Sequence, residues 1–275
     1  MNKMIDVIRA AAAALAVMVT FAMSLRAAEP AAPAYRPAGK IRIVLAGDST
    51  TAVGSGWGPG FIKCLDDGVE CINMARGGRS SKSFIAEGSW NKCLDLKPDY
   101  VLIQFGHNDQ PGHSTERATD AQTTYWQFMN QYVDDARAAG IKPVLVTSMS
   151  RRQWGPDGKI HSTLVPYVEV VKEIAAAKHV PLIDLHERSI ELYEKLGKDG
   201  CNALSPLKPA TTKPTKDAEA VADNKTAGMV YDGTHLNEKG SAIVGPIVAA
   251  ELAKVVPELA PHIHTGEPTT QLRDR

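Results

Sequence analysis

The chain has 275 residues, of which 44% are hydrophobic and 23% charged, with 31 basic and 31 acidic side chains. This balance is typical of a globular protein with enough apolar residues for a sizeable core. Because the net charge is zero and no long block of like charge occurs, the composition argues against a nucleic-acid-binding protein.

The first residues have the pattern of an export signal. Lys3 and Arg9 precede or flank an apolar run at 11–21, and small residues follow it. The run is shorter than the ~20 residues of a membrane-spanning helix. We therefore predict a signal peptide at 1–28 and a periplasmic or secreted mature protein without stable membrane insertion; an uncleaved anchor is the alternative. A Pro/Ala linker at 29–40 precedes one domain at 41–260 and a C-terminal tail at 261–275.

Within the domain, short apolar runs alternate with amphipathic segments. The runs are rich in β-branched residues and lack polar alternation, which is typical of strands buried on both faces; they lie at 41–45, 70–73, 100–104, 143–147 and 180–184. Helical spacing and stop signals predict helices at 125–139, 165–178, 185–196 and from the N-cap Asn237 to about Val256. This order predicts a three-layer α/β/α sandwich around a five-stranded parallel sheet.

Two features leave alternatives open. The segment 201–228 is rich in Pro, Thr, Lys, Ala and Asp, and a loop of that length is usually functional or disordered. The four cysteines, at positions 64, 71, 93 and 201, allow up to two disulfides in an exported protein, or they are buried free thiols. No Cys-x-x-Cys motif indicates a zinc or redox site.

Polar, glycine-containing sequences follow the first three predicted strands, at the edge where parallel sheets bind ligands. Ser49 is a candidate nucleophile, which needs a base, although a serine there could also cap a helix. His235 is a candidate base, with Asp232 three residues earlier to orient its ring. Gly78 and Asn108 are candidate donors to an oxyanion, although a glycine turn and a loop cap explain them as well.

A metal site is the competing chemistry. Possible ligands are His107, Asp109, His113, Asp232 and His235. Their spacing matches no tight ligand motif such as His-Glu-x-x-His, so we expect no metal and no other cofactor. Trp154, in a polar loop, is the tryptophan that we expect to contact substrate.

Taken together, these motifs resemble the SGNH (GDSL-type) hydrolase superfamily. The matching blocks occur in family order: Gly47-Asp48-Ser49, Gly78-Arg79-Ser80, Gly106-His107-Asn108-Asp109 and Asp232-x-x-His235. Further matches, such as Glu87-Gly88-x-Trp90, make the chain similar to the rhamnogalacturonan acetylesterase branch.

The resemblance implies a flavodoxin-like fold and removal of acetyl groups from an acetylated pectic polysaccharide or oligosaccharide. It implies Ser49 as nucleophile, His235 as base and Asp232 as its orienting carboxylate. It also implies an oxyanion hole formed by the N–H groups of Ser49 and Gly78 and the side chain of Asn108. We expect Arg79 and His107 to contact substrate. The alternatives are an esterase acting on another acyl substrate such as acetylxylan, and a non-catalytic carbohydrate-binding protein.

Overall fold

A computed structural model describes residues 39–209 and 229–266. The predicted signal peptide, nearly all of the predicted linker and the last nine residues lie outside these ranges. The described residues contain seven strands: β1 (Ile41–Gly47), β2 (Val69–Asn73), β3 (Tyr100–Gln104), β4 (Lys142–Val146), β5 (Leu182–Ile183), β6 (Leu207–Pro209) and β7 (Met229–Tyr231). The same residues contain seven α-helices: α1 (Gly58–Ile62), α2 (Ser81–Ala86), α3 (Ser89–Asp95), α4 (Trp126–Ala138), α5 (Val165–Lys178), α6 (Leu185–Asn202) and α7 (Glu238–Val255).

The first five strands form one parallel sheet in the order β2-β1-β3-β4-β5. This is the flavodoxin-like strand order, so the predicted fold class is confirmed. The two faces of the sheet carry separate apolar clusters. On β1, Ile43 and Leu45 belong to one cluster, while Val44 and Ala46 belong to the other. Because successive side chains of a strand point to opposite faces, this sheet has helices on both sides.

Helices α1, α6 and α7 cover one face, where Phe61, Tyr193 and Val244 join the cluster. Helices α2 to α5 cover the other face, where Phe84 and Tyr132 join the second cluster. Among the described residues, no helix combines the length and apolar character needed to cross a bilayer.

Helix α5 has the predicted bounds, and α7 begins after Asn237, whose side chain accepts a hydrogen bond from the N–H of Gly240. The predicted break at Gly197 is confirmed, because Gly197 has φ 69° and ψ 177°, outside helical geometry. A second helical segment follows this kink, and α6 as a whole ends at Asn202. The helix predicted at 125–139 is α4, which begins one residue later, at Trp126, and ends at Ala138. A π-helical turn, Ala121–Tyr125, precedes it.

The segment 201–228 is not a loop throughout. Its first two residues end α6, and β6 pairs antiparallel with β7 in a separate two-stranded sheet. Residues 210–228 lie outside the described part of the chain. At the C-terminus, residues expected in the tail belong to the fold: the N–H of His264 donates to the carbonyl of Cys64 at 2.7 Å, and Ile263 bridges to Leu65.

All four cysteines are free thiols, so no disulfide forms among them. Burial raises the pKa of Cys71 and Cys93 to about 12 and that of Cys201 to about 11. These side chains therefore stay protonated near neutral pH and pack as small apolar groups.

Candidate active site

Ser49 lies in the turn that leaves the C-terminal end of β1. The preceding residue, Asp48, shapes this turn: its Oδ1 accepts hydrogen bonds from the N–H of Thr50 at 2.8 Å and from the Thr50 hydroxyl at 2.7 Å. Gly47 is also required, because a Cβ there would lie 2.9 Å from the Gln104 carbonyl oxygen. The serine is thereby held half-buried at the edge of the sheet, and its hydroxyl faces His235.

His235 reaches Ser49 from a position 186 residues further along the chain. Its Nε2 lies 2.8 Å from Ser49 Oγ, and its Nδ1 lies 3.0 Å from Asp232 Oδ2. The hydroxyl, imidazole and carboxylate thus form one continuous hydrogen-bonded chain. In such a chain the imidazole can take the serine proton while the carboxylate fixes the ring tautomer.

The carboxylate of Asp232 is held by several donors. Its Oδ1 accepts the N–H of Thr234 at 2.7 Å and that of His235 at 3.0 Å. Burial alone would raise the pKa of this carboxyl. The hydrogen bonds from the side chain and backbone of His235 and from the Thr234 backbone lower the pKa by more than burial raises it. The net pKa lies well below the ordinary value, so Asp232 is ionised throughout the neutral range.

Two loops surround Ser49 on its other side. A Cβ at Gly77 would lie 3.7 Å from Ser49 Cβ, so the Gly77–Gly78 turn passes directly beside the serine. Gly78 has φ +76°, a backbone conformation that favours glycine. The side-chain amide of Asn108 donates to the Arg79 carbonyl at 3.1 Å, which ties the third motif to the second and leaves its other N–H available.

Asp109 joins the same two loops from beneath. Its carboxylate accepts hydrogen bonds from the N–H and hydroxyl of Ser81, at the start of α2, and from the Thr119 hydroxyl. Burial, partly offset by these donors, raises the pKa of Asp109 to about 7. This carboxyl is therefore a buried scaffold group rather than a ligand for substrate.

The structure does not support the expected substrate contact of His107, and it shows that Arg79 already has partners within the protein. His107 is only 3% exposed and lies under the serine turn, with Nδ1 3.6 Å from Asp48 Oδ2, so it cannot reach a substrate. Arg79 is partly exposed, but its guanidinium is engaged by Glu87 at 3.1 Å and by the Gly77 carbonyl at 2.8 Å. Trp154 is half-buried and bridges to Ile160 at the rim of the core.

The possible metal ligands do not converge. Within residues 39–209 and 229–266, no group of three or more His, Cys, Asp or Glu side chains is placed to hold a metal ion. His113 instead contacts the backbone carbonyl of His107 through Nε2 at 3.2 Å. Asp232 and His235 are engaged with each other and with Ser49.

Three cations that the sequence motifs did not predict lie around this site. Arg151 and Arg152 follow β4 and are buried, and Lys208 on β6 lies 3.3 Å from Asp232 Oδ2. Two consecutive arginines after a buried strand, at the edge that carries the other polar motifs, are the signal that could have revealed the first pair. No comparable signal marks Lys208, because β6 lies in a segment without strand-like periodicity.

The model of the GDSL-like Lipase/Acylhydrolase family matches residues 45–243, most of the chain and all of the motifs described above. The chain belongs to this family. The resemblance to SGNH hydrolases predicted from the motifs is therefore confirmed, and the serine, glycine, asparagine and histidine blocks of this GDSL-like chain lie at one edge of its sheet.

Among curated proteins, this GDSL-like hydrolase is 35% identical over 236 residues to the rhamnogalacturonan acetylesterase RhgT of Bacillus subtilis, covering 82% of this chain and 96% of the relative. It is 28% identical to the rhamnogalacturonan acetylesterase of Emericella nidulans, covering 71% and 87% of the two chains. Among solved structures, a catalytic mutant of Axe2, an acetylxylan esterase from Geobacillus stearothermophilus, superposes with a TM-score of 0.55 at 18% identity, covering 78% and 95%. The last similarity concerns the fold alone.

Proposed function

We propose that this protein is a serine esterase that removes acetyl groups from a plant cell-wall polysaccharide, rhamnogalacturonan or pectin in particular. The observation that carries the proposal is the unbroken hydrogen-bonded chain from Ser49 through His235 to Asp232, with contacts of 2.8 and 3.0 Å. These contacts lie within the distances required for proton transfer from a nucleophile to its base.

The reaction proceeds in two steps. Ser49 Oγ attacks the acetyl carbonyl carbon while His235 Nε2 accepts the serine proton. The tetrahedral intermediate then expels the sugar oxygen, which takes that proton and leaves as an alcohol. In the second step a water molecule gives one proton to His235 and attacks the acetyl-serine carbonyl. The proton on His235 then returns to Ser49 as acetic acid leaves and ionises in solution. Asp232 stabilises the imidazolium in both steps without itself being protonated.

The negative oxygen of each tetrahedral intermediate needs donors that are already in place. We assign this role to the backbone N–H groups of Ser49 and Gly78 and to the side-chain amide of Asn108. The position of the Gly77–Gly78 turn beside the serine supports this assignment, as does the hydrogen bond that fixes the Asn108 amide. None of these donors carries a charge, so the site stabilises the intermediate by hydrogen bonds and dipoles alone.

The substrate class is proposed from the relatives. Both curated relatives named above are rhamnogalacturonan acetylesterases, and one of them matches nearly its whole length. Trp154 and the exposed part of Arg79 remain proposed contacts for the sugar chain. The residues at 1–28 support a protein that is exported to the periplasm or beyond, where such a polymer is found; sequencing the N-terminus of the mature protein tests this part of the proposal.

The test is acetate release from acetylated rhamnogalacturonan, acetylated homogalacturonan and acetylated xylan, with the wild type beside Ser49→Ala. We expect rhamnogalacturonan to be the best substrate and Ser49→Ala to lower kcat by several orders of magnitude. Faster acetate release from xylan would overturn the proposed substrate but not the proposed esterase activity. Unchanged hydrolysis of p-nitrophenyl acetate by Ser49→Ala would overturn the mechanism, and loss of activity in a chelator would favour metal chemistry.

A further inference from the structure

Two consecutive arginines lie in the segment that follows β4, and their side chains extend to different parts of the site. Arg151 and Arg152 are only 6% and 3% exposed. The Arg151 guanidinium donates to the backbone carbonyl of His107 at 3.2 Å, directly before Asn108. The Arg152 guanidinium donates to the backbone carbonyls of Asp232, at 2.8 Å, and of His235.

Arg152 holds the turn between Asp232 and His235 at three points. Besides the two carbonyls at its ends, the carbonyl of Gly233 accepts the backbone N–H of Arg152 at 2.8 Å. The planar guanidinium suits this task, because it presents several donors in a fixed geometry that a lysine ammonium cannot reproduce. The Tyr193 hydroxyl, 3.3 Å from Nη1, and the Tyr193 ring complete the surroundings of the guanidinium.

The environment of Arg152 is unusual for a buried cation. Among the described residues, no carboxylate lies within ion-pair distance of its guanidinium, which donates to the neutral oxygens of Tyr193, Asp232 and His235. Burying a charge without an opposite charge is costly. A smaller neutral side chain would fill this place at lower cost if packing were the only requirement, which indicates that the two-carbonyl contact itself is what the position requires.

We propose that Arg151 and Arg152 are positioning residues: Arg152 holds the Asp232–His235 turn against Ser49, and Arg151 holds the loop that carries Asn108. This inference rests on the proposed function, because it assigns the arginines a role through the catalytic and oxyanion-hole residues. The two side chains are adjacent in sequence, so one short segment fixes the proton-transfer half and the oxyanion half of the site relative to each other.

Kinetics can detect the separate roles of the two arginines, beginning with the effect of Arg152 on kcat. Loss of Arg152 frees the carbonyls of Asp232 and His235, so the 2.8 Å contact between Nε2 and Ser49 Oγ is no longer enforced. A displacement of about 1 Å at reacting groups costs on the order of 100-fold in rate. We therefore expect Arg152→Met to lower kcat by roughly 10- to 100-fold with a smaller change in KM.

The decisive experiment is a set of double-mutant cycles with p-nitrophenyl acetate. Arg152→Met is measured in the wild type, in His235→Ala and in Asn108→Ala. If Arg152 acts through His235, its loss should cost less than about threefold once His235 is absent, but its full factor when only Asn108 is absent. Arg151→Met should behave in the opposite way, with its effect lost in the Asn108→Ala protein.

The matched control is Arg42→Met. Arg42 is also a buried arginine, 2% exposed, but it donates to Glu70 and to the Leu96 carbonyl at the opposite end of the sheet. Its loss should lower the unfolding temperature and leave the kcat of the folded protein unchanged. Arg152→Lys keeps the positive charge but loses the planar set of guanidinium donors, so it should show an intermediate kcat. It replaces Arg152→Met in the cycles if Arg152→Met does not fold.

Wild-type kcat in the Arg152 variants, or an equal loss with and without His235, would overturn the inference. Such a result would leave the effect of Ser49→Ala intact, so it would not touch the proposed function. Conversely, full activity of Ser49→Ala would remove the proposed function itself, whatever the arginine variants do.

Discussion

The ammonium of Lys208 lies 3.3 Å from Asp232 Oδ2, the same oxygen that accepts the hydrogen bond from Nδ1 of His235. The strand β6, which carries Lys208, is paired with β7, and β7 ends one residue before Asp232. A second cation thus shares the carboxylate that stabilises the imidazolium. Among the described residues, the charged or titratable groups near His235 include Asp232, Lys208, Arg152 and the buried His107.

We expect Lys208→Met to lower kcat at low salt, because the lysine ammonium helps to hold Asp232 Oδ2 in place against the His235 ring. The loss should be less than about fivefold, the size expected for a partly exposed ion pair, and it should shrink at high salt. Lys208→Arg should retain the wild-type kcat.

A matched control for this variant is Lys172→Met. Its side chain is 36% exposed against 35% for Lys208, and it pairs with Asp184 at 2.9 Å, away from the site. The kcat of Lys172→Met should equal that of the wild type. An unchanged kcat of Lys208→Met at low salt would show that the lysine does not help to position Asp232.

Asn108→Ala should lower kcat by about 10²- to 10³-fold, because one donor to the oxyanion is lost. Asn130 provides a close control: both asparagines are 9% exposed, and the Asn130 amide donates to the Trp126 carbonyl at 2.9 Å within α4. Asn130→Ala should change stability but not kcat. Steady-state kinetics of the two variants give the kcat values to compare. Similar losses of kcat in both would indicate a packing role for Asn108.

The two neighbouring glycines of the second motif should respond differently to alanine. Gly78 has φ +76°, where an L-residue is strained, so Gly78→Ala should cost about 1–2 kcal/mol locally and turn its N–H away from the oxyanion. A Cβ at Gly77 would only make an ordinary contact of 3.7 Å with Ser49 Cβ. We expect a kcat loss for Gly78→Ala that clearly exceeds that for Gly77→Ala, and the reverse order would contradict the assignment of Gly78.

Asp109→Asn tests the buried carboxyl beneath the loops. Burial raises the pKa of Asp109 to about 7, above the value of about 4 expected in the unfolded chain. The folded state therefore binds more protons between pH 4 and 7, and the free energy of unfolding falls as the pH rises through this window. The variant lacks this term, so its stability relative to wild type should increase from pH 4.5 to 7 and then level off.

Urea unfolding at several pH values measures that difference directly. A constant offset between Asp109→Asn and wild type is expected from the altered hydrogen bonds to Ser81 and Thr119, and it does not affect the pH trend. A difference that stays flat from pH 4.5 to 7 would show that Asp109 titrates at an ordinary pKa.

The sequence was sufficient for the sheet because its strands are short apolar runs with both faces buried, as β3 illustrates with its unchanged bounds. The turns that carry Ser49, Gly78 and Asn108 could be placed at one edge, because parallel strands bring their C-terminal turns together. Asp232 and His235 follow β7, outside the parallel sheet, and their place beside Ser49 came from the family resemblance. The sequence failed where a contact depends on a side chain folding inward. His107 lies inside a motif but turns toward Asp48, and nothing in the local sequence distinguishes that rotamer from an outward one.

The helical segment after Gly197 was not predicted, and it has a different cause. Gly197 breaks the helix as its local signal predicts, but helical turns resume after it and Cys201 packs against the core. This packing is a tertiary contact that the local sequence does not record. Arg152 and Lys208 were missed for a related reason, since their partners are backbone carbonyls or a residue 24 positions away, and no short-range pattern records such contacts.

The state of the four thiols has a practical consequence for producing the protein. Since Cys64, Cys71, Cys93 and Cys201 are unpaired, the native structure owes nothing to oxidative folding or to a disulfide isomerase. A version without the predicted signal peptide should fold in a reducing cytoplasm, and dithiothreitol should leave its melting temperature unchanged.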